Sequence, residues 1–225
     1  MTFLALETSS RHFSLAIFKD GTVIAQKTIK LKTVLSSAIL PAIKSLLSRK
    51  KLSLAQLDGF AVGLGPGSFT SLRVGLSTVK GLAFASGKPV VGISSLDALA
   101  LRADNKGNFI CTVTDAKRNL LYACLYEKEK GILKKKSPHL LISAEDLLKK
   151  IKGDVFFIGD GVNMVKEQLK DSGLQASFAD KKLHHPRASE LACLAEERFR
   201  DKKFDDAAGL IPLYLYPDDC QVGKK

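Results

Sequence analysis

The sequence has no tryptophan and only four cysteines and four histidines among its 225 residues. The cysteines stand singly at Cys111, Cys124, Cys193 and Cys220, so neither a CxxC zinc motif nor a disulfide framework is indicated. No HxxxH, HExxH or GxSxG motif occurs, which disfavours a zinc protease and a serine hydrolase. We therefore predict that the chain has no metal site and no self-contained hydrolytic site.

Long apolar runs are also missing. None approaches the roughly 18 residues that a membrane span requires, and the N-terminus lacks a cationic segment followed by an apolar stretch. We therefore expect a cytoplasmic protein without a membrane association. Hydrophobic residues make up 45% of the chain, which is enough to build a core in one large domain or in two lobes of about 100 residues.

The charge is unbalanced, because 35 lysines and arginines stand against 23 acidic residues and give a formal net charge of +12. This excess indicates an anionic partner such as nucleic acid or an acidic protein. The lysines are spread along the chain and form no arginine-rich stripe. A contribution to a shared binding surface is therefore favoured over specific reading of a nucleic acid, and a generally basic solvated surface remains the alternative.

The first hundred residues alternate strand and helix patterns. Apolar and alternating segments on both sides of the Asp20-Gly21 turn predict three antiparallel strands. The spacing of apolar residues, together with glycines and prolines at the boundaries, predicts the elements that follow. They are a helix at 33–49, a strand at 58–63, a helix at 69–86 and a strand at 89–94. Pro41 indicates either a kink in the first helix or a late helix start. This order predicts an α/β fold with a mixed sheet.

The composition turns polar around Arg102–Gly107, which predicts a boundary between a first lobe, 1–102, and a second lobe, 103–225. The second half again opens with strands and continues with helices. Its last helix, at 187–202, is expected either to stay with the second lobe or to pack back on the first. Two halves that each begin with strands and end with helices predict a duplicated lobe.

A glycine-rich turn, Gly63–Gly75, joins a predicted strand to the long helix. Gly65, Gly67 and Ser68 are candidates for a phosphate-binding loop at the helix N-terminus, and Ser68 or Thr70 is expected to cap the helix. No GK[ST] follows the glycines, and Ser68 occupies the third glycine position of GxGxxG. A tight strand-to-helix turn without a ligand therefore remains the alternative.

Acidic residues follow several strands. Glu7, next to Thr8, ends the first strand, and Asp115 and the Gly159-Asp160 pair occupy similar positions in the second half. Carboxylates at strand ends can hold Mg²⁺ through water beside a nucleotide. With the glycine-rich turn they form a candidate nucleotide site, and polar turns without a ligand are the alternative.

The long helix contains small residues, including Gly75 and Gly81, among its apolar ones. An interior glycine costs about 1 kcal/mol relative to alanine in a helix, and a close approach of another backbone can offset this cost. The pattern indicates either an interface with a second polypeptide or burial within the lobe.

Several segments together resemble the bacterial TsaB family, also called YeaZ. They are ALETSS, LPAIKSLL, AVGLGPGSFTSLRVGLSTVKGLA and PVVGISSLDALA in the first hundred residues and, less specifically, TDAKR, GDG, PRASELACLA and PLYL in the rest. The resemblance implies an actin-like, two-lobed fold of the sugar kinase/Hsp70/actin superfamily, whose RNase H-like lobes contain mixed sheets.

The resemblance also implies a function. Members of this family are non-catalytic subunits in the synthesis of N6-threonylcarbamoyladenosine, the modified adenosine next to the anticodon of tRNA. The implied partners are a TsaD-type catalytic subunit, a TsaE-type small ATPase and tRNA bound through the complex, with a homodimer when the chain is alone. The implied cofactor use is ATP by the complex and none by this chain alone.

In the family the first two helices form the partner interface, which corresponds here to about 33–48 and 69–86. The interface residues implied on these helices are Leu35, Ile39, Ile43, Phe69, Leu72, Arg73, Leu76, Val79 and Lys80.

The chain departs from the family pattern at three positions. Ser71 stands where glycine is usual, Leu35 where many members have histidine, and Tyr216 where the family has the arginine of P-x-Y-x-R. Three rival functions stay open: an actin-like ATPase or small-molecule kinase that acts alone through Glu7, Asp115 and the glycine-rich turn, a metalloprotease, and a free-standing RNA-binding module.

Overall fold

The structure is a computed structural model, and it describes residues 1–31, 34–103, 106–169 and 174–216. The chain divides into two compact units. Of the described residues, the first contains Met1–Ala98 and Pro186–Leu213, and the second contains those within Leu99–His185 and the segment 214–216. None of the helices within the described ranges has the length and apolarity that crossing a bilayer requires.

The first unit is built on a five-stranded mixed sheet. Its strands are β1 (Thr2–Glu7), β2 (His12–Lys19), β3 (Thr22–Lys30), β4 (Gly59–Gly63) and β5 (Val90–Ile93), in the order β3-β2-β1-β4-β5. The first three strands are antiparallel, and β4 and β5 run parallel to β1. Asp20 and Gly21 have φ values of 47° and 86°, which a tight hairpin turn requires, so the predicted turn is confirmed.

Three helices follow in this part of the chain: α1 (Leu35–Arg49), α2 (Phe69–Ser86) and α3 (Ser95–Leu101), which leads towards the second unit. Helices α1 and α2 cover one face of the sheet, where α1 packs mainly on β2 and α2 mainly on β4. Pro41 lies inside α1 on its exposed side, and the helix already begins at Leu35, so Pro41 does not mark a late start.

The second unit repeats the topology of the first. Its strands are β6 (Phe109–Lys117), β7 (Leu120–Glu129), β8 (Ile132–Lys135), β9 (Leu140–Ser143), β10 (Val155–Ile158) and β11 (Ala176–Phe178), and its helices are α4 (Ala144–Lys150) and α5 (Val162–Leu169). The order is β11-β10-β6-β7-β8, with β9 also paired to β7. Central strand β6 has an antiparallel neighbour in β7 and a parallel one in β10, as β1 has in β2 and β4. The two units thus share one strand order, as the predicted duplication of the lobe requires.

The last helix, α6 (Ala188–Arg200), returns to the first unit and covers the second face of its sheet. There the ring of Phe3 stacks between Phe18 and Phe199, with centroid distances of 4.9 and 4.3 Å. Of the two placements expected for the last helix, the structure shows the one on the first lobe, because the apolar face of β1 and β2 packs against α6. The predicted boundary after residue 102 lies close to the division after Ala98.

Candidate functional site

The glycine-rich turn between β4 and α2 is packed against the protein itself. A Cβ atom on Gly67 would lie 2.3 Å from the carbonyl oxygen of Ser9, and one on Gly65, whose φ is +90°, would lie 2.6 Å from a methyl group of Leu72. The backbone N–H of Ser68 donates to the carbonyl of Ser9 at 2.8 Å, and that of Gly65 donates to the Oγ of Ser95 at 3.1 Å. The donors that a phosphate would need at these two positions are thus already used.

Glu7 forms the centre of this arrangement. Its side chain is fully buried and accepts hydrogen bonds from the Ser9 N–H at 2.6 Å and from the Ser95 hydroxyl at 2.7 Å. A Cβ on Gly63 would lie 2.1 Å from the carboxylate, so β4 needs a glycine there. Burial raises the pKa of Glu7 above its ordinary value. A solvated Mg²⁺ does not fit beside this carboxylate, and the prediction that Glu7 holds such an ion is corrected: Glu7 fixes the turn.

Thr8 and Gly75 explain one of the glycines in α2. Thr8 is buried, and a Cβ on Gly75 would lie 2.3 Å from its Oγ1. Among the described residues, this Oγ1 has no hydrogen-bond partner. Gly75 therefore faces the protein's own β1–β2 connection, and of the two alternatives predicted for the small residues of this helix it follows burial within the lobe. By contrast, a Cβ on Gly81 would meet nothing within 4 Å.

The start of α2 differs in detail from the prediction. The helix begins at Phe69, so Ser68 occupies the N-cap position, but its side chain makes no capping hydrogen bond. The Ser68 hydroxyl instead donates to the Oγ of Ser71 at 3.1 Å. Ser71, a departure from the family pattern, thus provides an acceptor that the usual glycine lacks.

The other candidate nucleotide residues lie in the second unit. The Oδ1 atom of Asp160 accepts a hydrogen bond from the Asp115 N–H at 3.0 Å, and the Asp115 carboxylate forms an ion pair with Lys117. Gly159 has a φ of +130°, and its Cβ would lie 1.9 Å from the carbonyl oxygen of Val113. This glycine therefore allows β10 to pass close to β6. The structure brings Glu7, Thr8, Gly65, Gly67 and Ser68 together in the first unit, and Asp115 and Gly159 in the second.

Most of the implied interface residues are not on the surface. Six of the nine are buried: Leu35, Ile39, Ile43, Leu76 and Val79 lie in the core between α1, α2 and the sheet, and Leu72 lies against Gly65 of the glycine-rich turn. Their assignment to a partner surface is corrected, because the apolar face of each helix is turned towards the chain's own strands. The remaining three are Phe69, which is 42% exposed, Arg73, which is exposed, and Lys80, which is half-buried and donates to the Ala208 carbonyl at 2.8 Å.

A different set of side chains forms the outer surface of these helices. One row of exposed residues runs along α2, at helical spacing, and is called the α2 stripe below: Phe69, Arg73, Ser77, Gly81 and Phe84. The guanidinium of Arg73 lies 3.8 Å from the centre of the Phe69 ring. Phe84 is 93% exposed, and α1 adds Val34 at 70% and Leu40 at 53%. Large apolar side chains exposed on two neighbouring helices are typical of a protein-binding surface.

Sequence reasoning missed Val34, Leu40 and Phe84. The signal that indicates them is an apolar residue on the polar side of an amphipathic helix. In α2 this signal cannot be recognised from the sequence, because small and apolar residues occur on nearly every side of the helix and no polar side stands out.

Comparison with known proteins shows which family the chain is related to. A family model described as TsaD, tRNA N6-adenosine threonylcarbamoyltransferase, matches residues 25–221. The chain is 33% identical to the tRNA threonylcarbamoyladenosine biosynthesis protein TsaB of Bacillus subtilis over 219 residues, which cover 96% of this chain and 94% of the relative. The chain belongs to the TsaB family. The resemblance inferred from the sequence motifs is thus confirmed.

Other TsaB relatives agree. The TsaB protein of Escherichia coli is 28% identical over 221 residues, covering 96% of this chain and 94% of the relative. The solved structure of YeaZ from Pseudomonas aeruginosa superposes with a TM-score of 0.82 at 26% identity, covering 95% of this chain and 99% of YeaZ. The predicted fold class of this TsaB-family chain, a two-unit α/β fold with mixed sheets, is confirmed.

Proposed function

We propose that this chain is a non-catalytic subunit in the synthesis of N6-threonylcarbamoyladenosine in tRNA, and that it acts in the cytoplasm by binding a TsaD-type catalytic subunit. The observation that carries the proposal is the exposed apolar surface of the α2 stripe, with Phe84 93% exposed. The names of the TsaB relatives, which refer to tRNA threonylcarbamoyladenosine biosynthesis, support the pathway.

A scaffolding role agrees with the packing of the glycine-rich turn. Its N–H groups at Gly65 and Ser68 donate within the protein, and the Glu7 carboxylate is buried. An ATPase or kinase that acted alone would need open donors for phosphate and a solvated carboxylate for Mg²⁺. In this proposal the chain binds no nucleotide by itself, and a TsaE-type ATPase supplies ATP use within the complex.

The chemistry of the α2 stripe suits a helical partner face. Phe69 and Phe84 offer large apolar rings at its two ends, Arg73 offers a charged group at one end, and Gly81 leaves room for a second backbone. Buried aromatic and arginine side chains contribute most of the binding free energy at many interfaces. The same surface would be used by a second copy of the chain when the catalytic subunit is absent.

The test compares two charge substitutions at exposed apolar residues. Phe84→Glu lies in the α2 stripe, and Ile132→Glu, at a residue that is 64% exposed, lies in the second unit. Calorimetry with the purified TsaD-type protein is expected to show an affinity reduced by roughly thirtyfold or more for Phe84→Glu, as for a hot-spot residue worth about 2 kcal/mol. Ile132→Glu is expected to bind like the unmodified chain.

A cellular measurement tests the pathway separately. Depletion of the protein is expected to lower the threonylcarbamoyladenosine content of tRNA, and only Ile132→Glu is expected to restore it. Unchanged tRNA after depletion would show that the proposed function is wrong. Equal affinities of the two variants would show that the α2 stripe is not the partner surface.

A further inference from the structure

The turn between β6 and β7 has an unusual backbone. Lys117, Arg118 and Asn119 have φ values of 69°, 53° and 59°, so three successive residues other than glycine adopt the left-handed conformation. Asparagine tolerates this region, whereas lysine and arginine rarely occupy it, because their Cβ atoms crowd the following carbonyl. Glycine would make the same turn without strain. Lys117 and Arg118 therefore hold a conformation that costs free energy for a residue with a Cβ atom.

Neighbouring groups hold the turn in this conformation. The Lys117 N–H donates to the Oδ1 of Asp115 at 2.8 Å, and the Tyr216 hydroxyl lies 2.9 Å from the carbonyl oxygen of Ala116, to which it donates. The Asp115 N–H donates a hydrogen bond to the carboxylate of Asp160. Strained backbone that several contacts keep in place is concentrated at functional sites, where it presents a group in a fixed position.

The group presented here is the guanidinium of Arg118. Asp115 forms an ion pair with Lys117, whose ammonium is therefore neutralised locally. Arg118 is exposed and, within the described parts of the chain, has no carboxylate partner. Its guanidinium lies 5.8 Å from the centre of the Tyr216 ring.

An arginine beside an aromatic ring suits RNA. A guanidinium binds phosphate oxygens through two parallel hydrogen bonds, and a ring within about 6 Å attracts the cation and helps to hold it in place. The formal charge of +12 favours approach of a polyanion to the whole chain.

We propose that the β6–β7 turn contacts the sugar-phosphate backbone of tRNA, with Arg118 as the phosphate-binding residue and Tyr216 as the residue that positions the turn. This inference rests on the proposed function, because that function makes tRNA the RNA concerned. It adds a direct RNA contact by this chain, on the second unit, separate from the α2 stripe on the first.

The test uses the full chain and an unmodified tRNA transcript, with affinity measured by fluorescence anisotropy over a range of salt concentrations. Arg118→Ala is expected to reduce the dependence of log K on log salt by about 0.7 to 0.9, which corresponds to about fivefold weaker binding at 0.15 M salt. Lys117→Ala is expected to have less effect, because its ammonium is paired. Arg118→Lys keeps the charge and is expected to keep most of the salt dependence.

Lys130 provides a matched control. It is an exposed basic residue with positive φ, 49°, at the tip of the β7–β8 hairpin in the same unit. Lys130→Ala is expected to bind tRNA like the unmodified chain. If Lys130→Ala weakens binding as much as Arg118→Ala, the attraction is general and the inference is overturned.

Two further outcomes would also overturn the inference that the β6–β7 turn contacts tRNA. Both can be distinguished from a failure of the proposed function. One is an unchanged tRNA affinity for Arg118→Ala, including a result in which Arg118→Ala weakens only the association with the TsaD-type protein. The other is absence of tRNA binding by the unmodified chain, both alone and with that protein. Failure of the proposed function would instead appear as unchanged tRNA modification after depletion.

Discussion

The hydroxyl of Ser95 donates a hydrogen bond to the buried carboxylate of Glu7 across 2.7 Å and accepts one from the N–H of Gly65. One serine at the start of α3 thereby connects the end of β1 with the glycine-rich turn that precedes α2. The orientation of α2, and of the stripe on its outer side, depends on this buried polar contact. Buried hydrogen bonds to a carboxylate are costly to remove when one partner is left unsatisfied.

Substitution at Glu7 tests this connection. Glu7→Ala is expected to lower the free energy of unfolding by about 1–3 kcal/mol, because the Ser9 N–H and the Ser95 hydroxyl lose their acceptor while buried. Glu7→Gln keeps one acceptor oxygen and is expected to lose less. Urea denaturation of both variants measures the difference, and equal stabilities for the two would contradict the proposed role of the hydrogen bonds.

The charge of Glu7 gives a separate dependence on pH. Burial raises the pKa of Glu7 above its ordinary value of 4.5, so between pH 4.5 and the folded-state pKa the folded state keeps a proton that the unfolded state has lost. The contribution of Glu7 to stability is therefore largest below pH 4.5 and falls as the pH rises through the folded-state pKa. The unfolding free energy of the unmodified chain minus that of Glu7→Gln is expected to decrease between pH 4.5 and pH 7. A constant or rising difference would refute this.

The two glycines inside α2 are expected to respond in opposite ways to alanine. Gly75→Ala places a Cβ 2.3 Å from the Thr8 Oγ1 and is expected to destabilise the chain by about 1–3 kcal/mol. Gly81→Ala meets open space and is expected to stabilise it by about 0.5–1 kcal/mol through better helix propensity. Thermal unfolding of the pair provides the measurement, each variant serving as the control for the other, and a stabilising Gly75→Ala would contradict the structure.

Asp205 protects the open edge of the first sheet. Its N–H donates to the Val90 carbonyl, its carboxylate accepts from the Gly92 N–H at 2.7 Å, and Arg198 binds both that carboxylate and the Gly92 carbonyl. Asp205→Ala is expected to lower stability by about 1–3 kcal/mol and to increase aggregation, since an unpaired strand edge can pair with another chain. Denaturation and light scattering measure both effects. Asp180→Ala, on an exposed residue, is the control and is expected to change neither.

Tyr216 gives a fourth structural test. Tyr216→Phe removes the hydroxyl that binds the Ala116 carbonyl but keeps the ring, and it is expected to cost about 0.5–1.5 kcal/mol. Tyr122→Phe, at the tyrosine whose ring meets Tyr216 edge-on at 6.2 Å, is the control and is expected to cost less. Denaturant unfolding distinguishes them, and an equal cost for both would show that the hydroxyl bond to the turn is not important.

The sequence was sufficient to predict the elements that depend on local patterns. The bounds of α2, Phe69–Ser86, agree with the predicted 69–86, because glycines precede the helix and Gly87 and Pro89 follow it. The Asp20-Gly21 hairpin agrees for a similar reason. The sequence does not decide whether α6 returns to the first unit, because the period of a helix shows that it has an apolar face but not which sheet that face covers.

The site was harder to predict than the fold. Glu7 ends a strand in a position that suits a metal ligand, and only its burial and its contacts with Ser9 and Ser95 show a structural role. Gly75 and Gly81 have the same residue type in the same helix, yet one faces Thr8 and the other faces open space. Such differences depend on residues distant in the chain, which a single sequence does not place.

The position of α6 has a consequence for synthesis of the chain. The aromatic face formed by Phe3 and Phe18 is covered by Phe199, nearly two hundred residues later in the sequence. During translation, which begins at the N-terminus, this face has no covering helix until almost the whole polypeptide has left the ribosome. The unit translated first is therefore completed only after Leu99–His185 of the second unit have been made, and a nascent chain that stalls before α6 exposes an apolar sheet to chaperones and proteases.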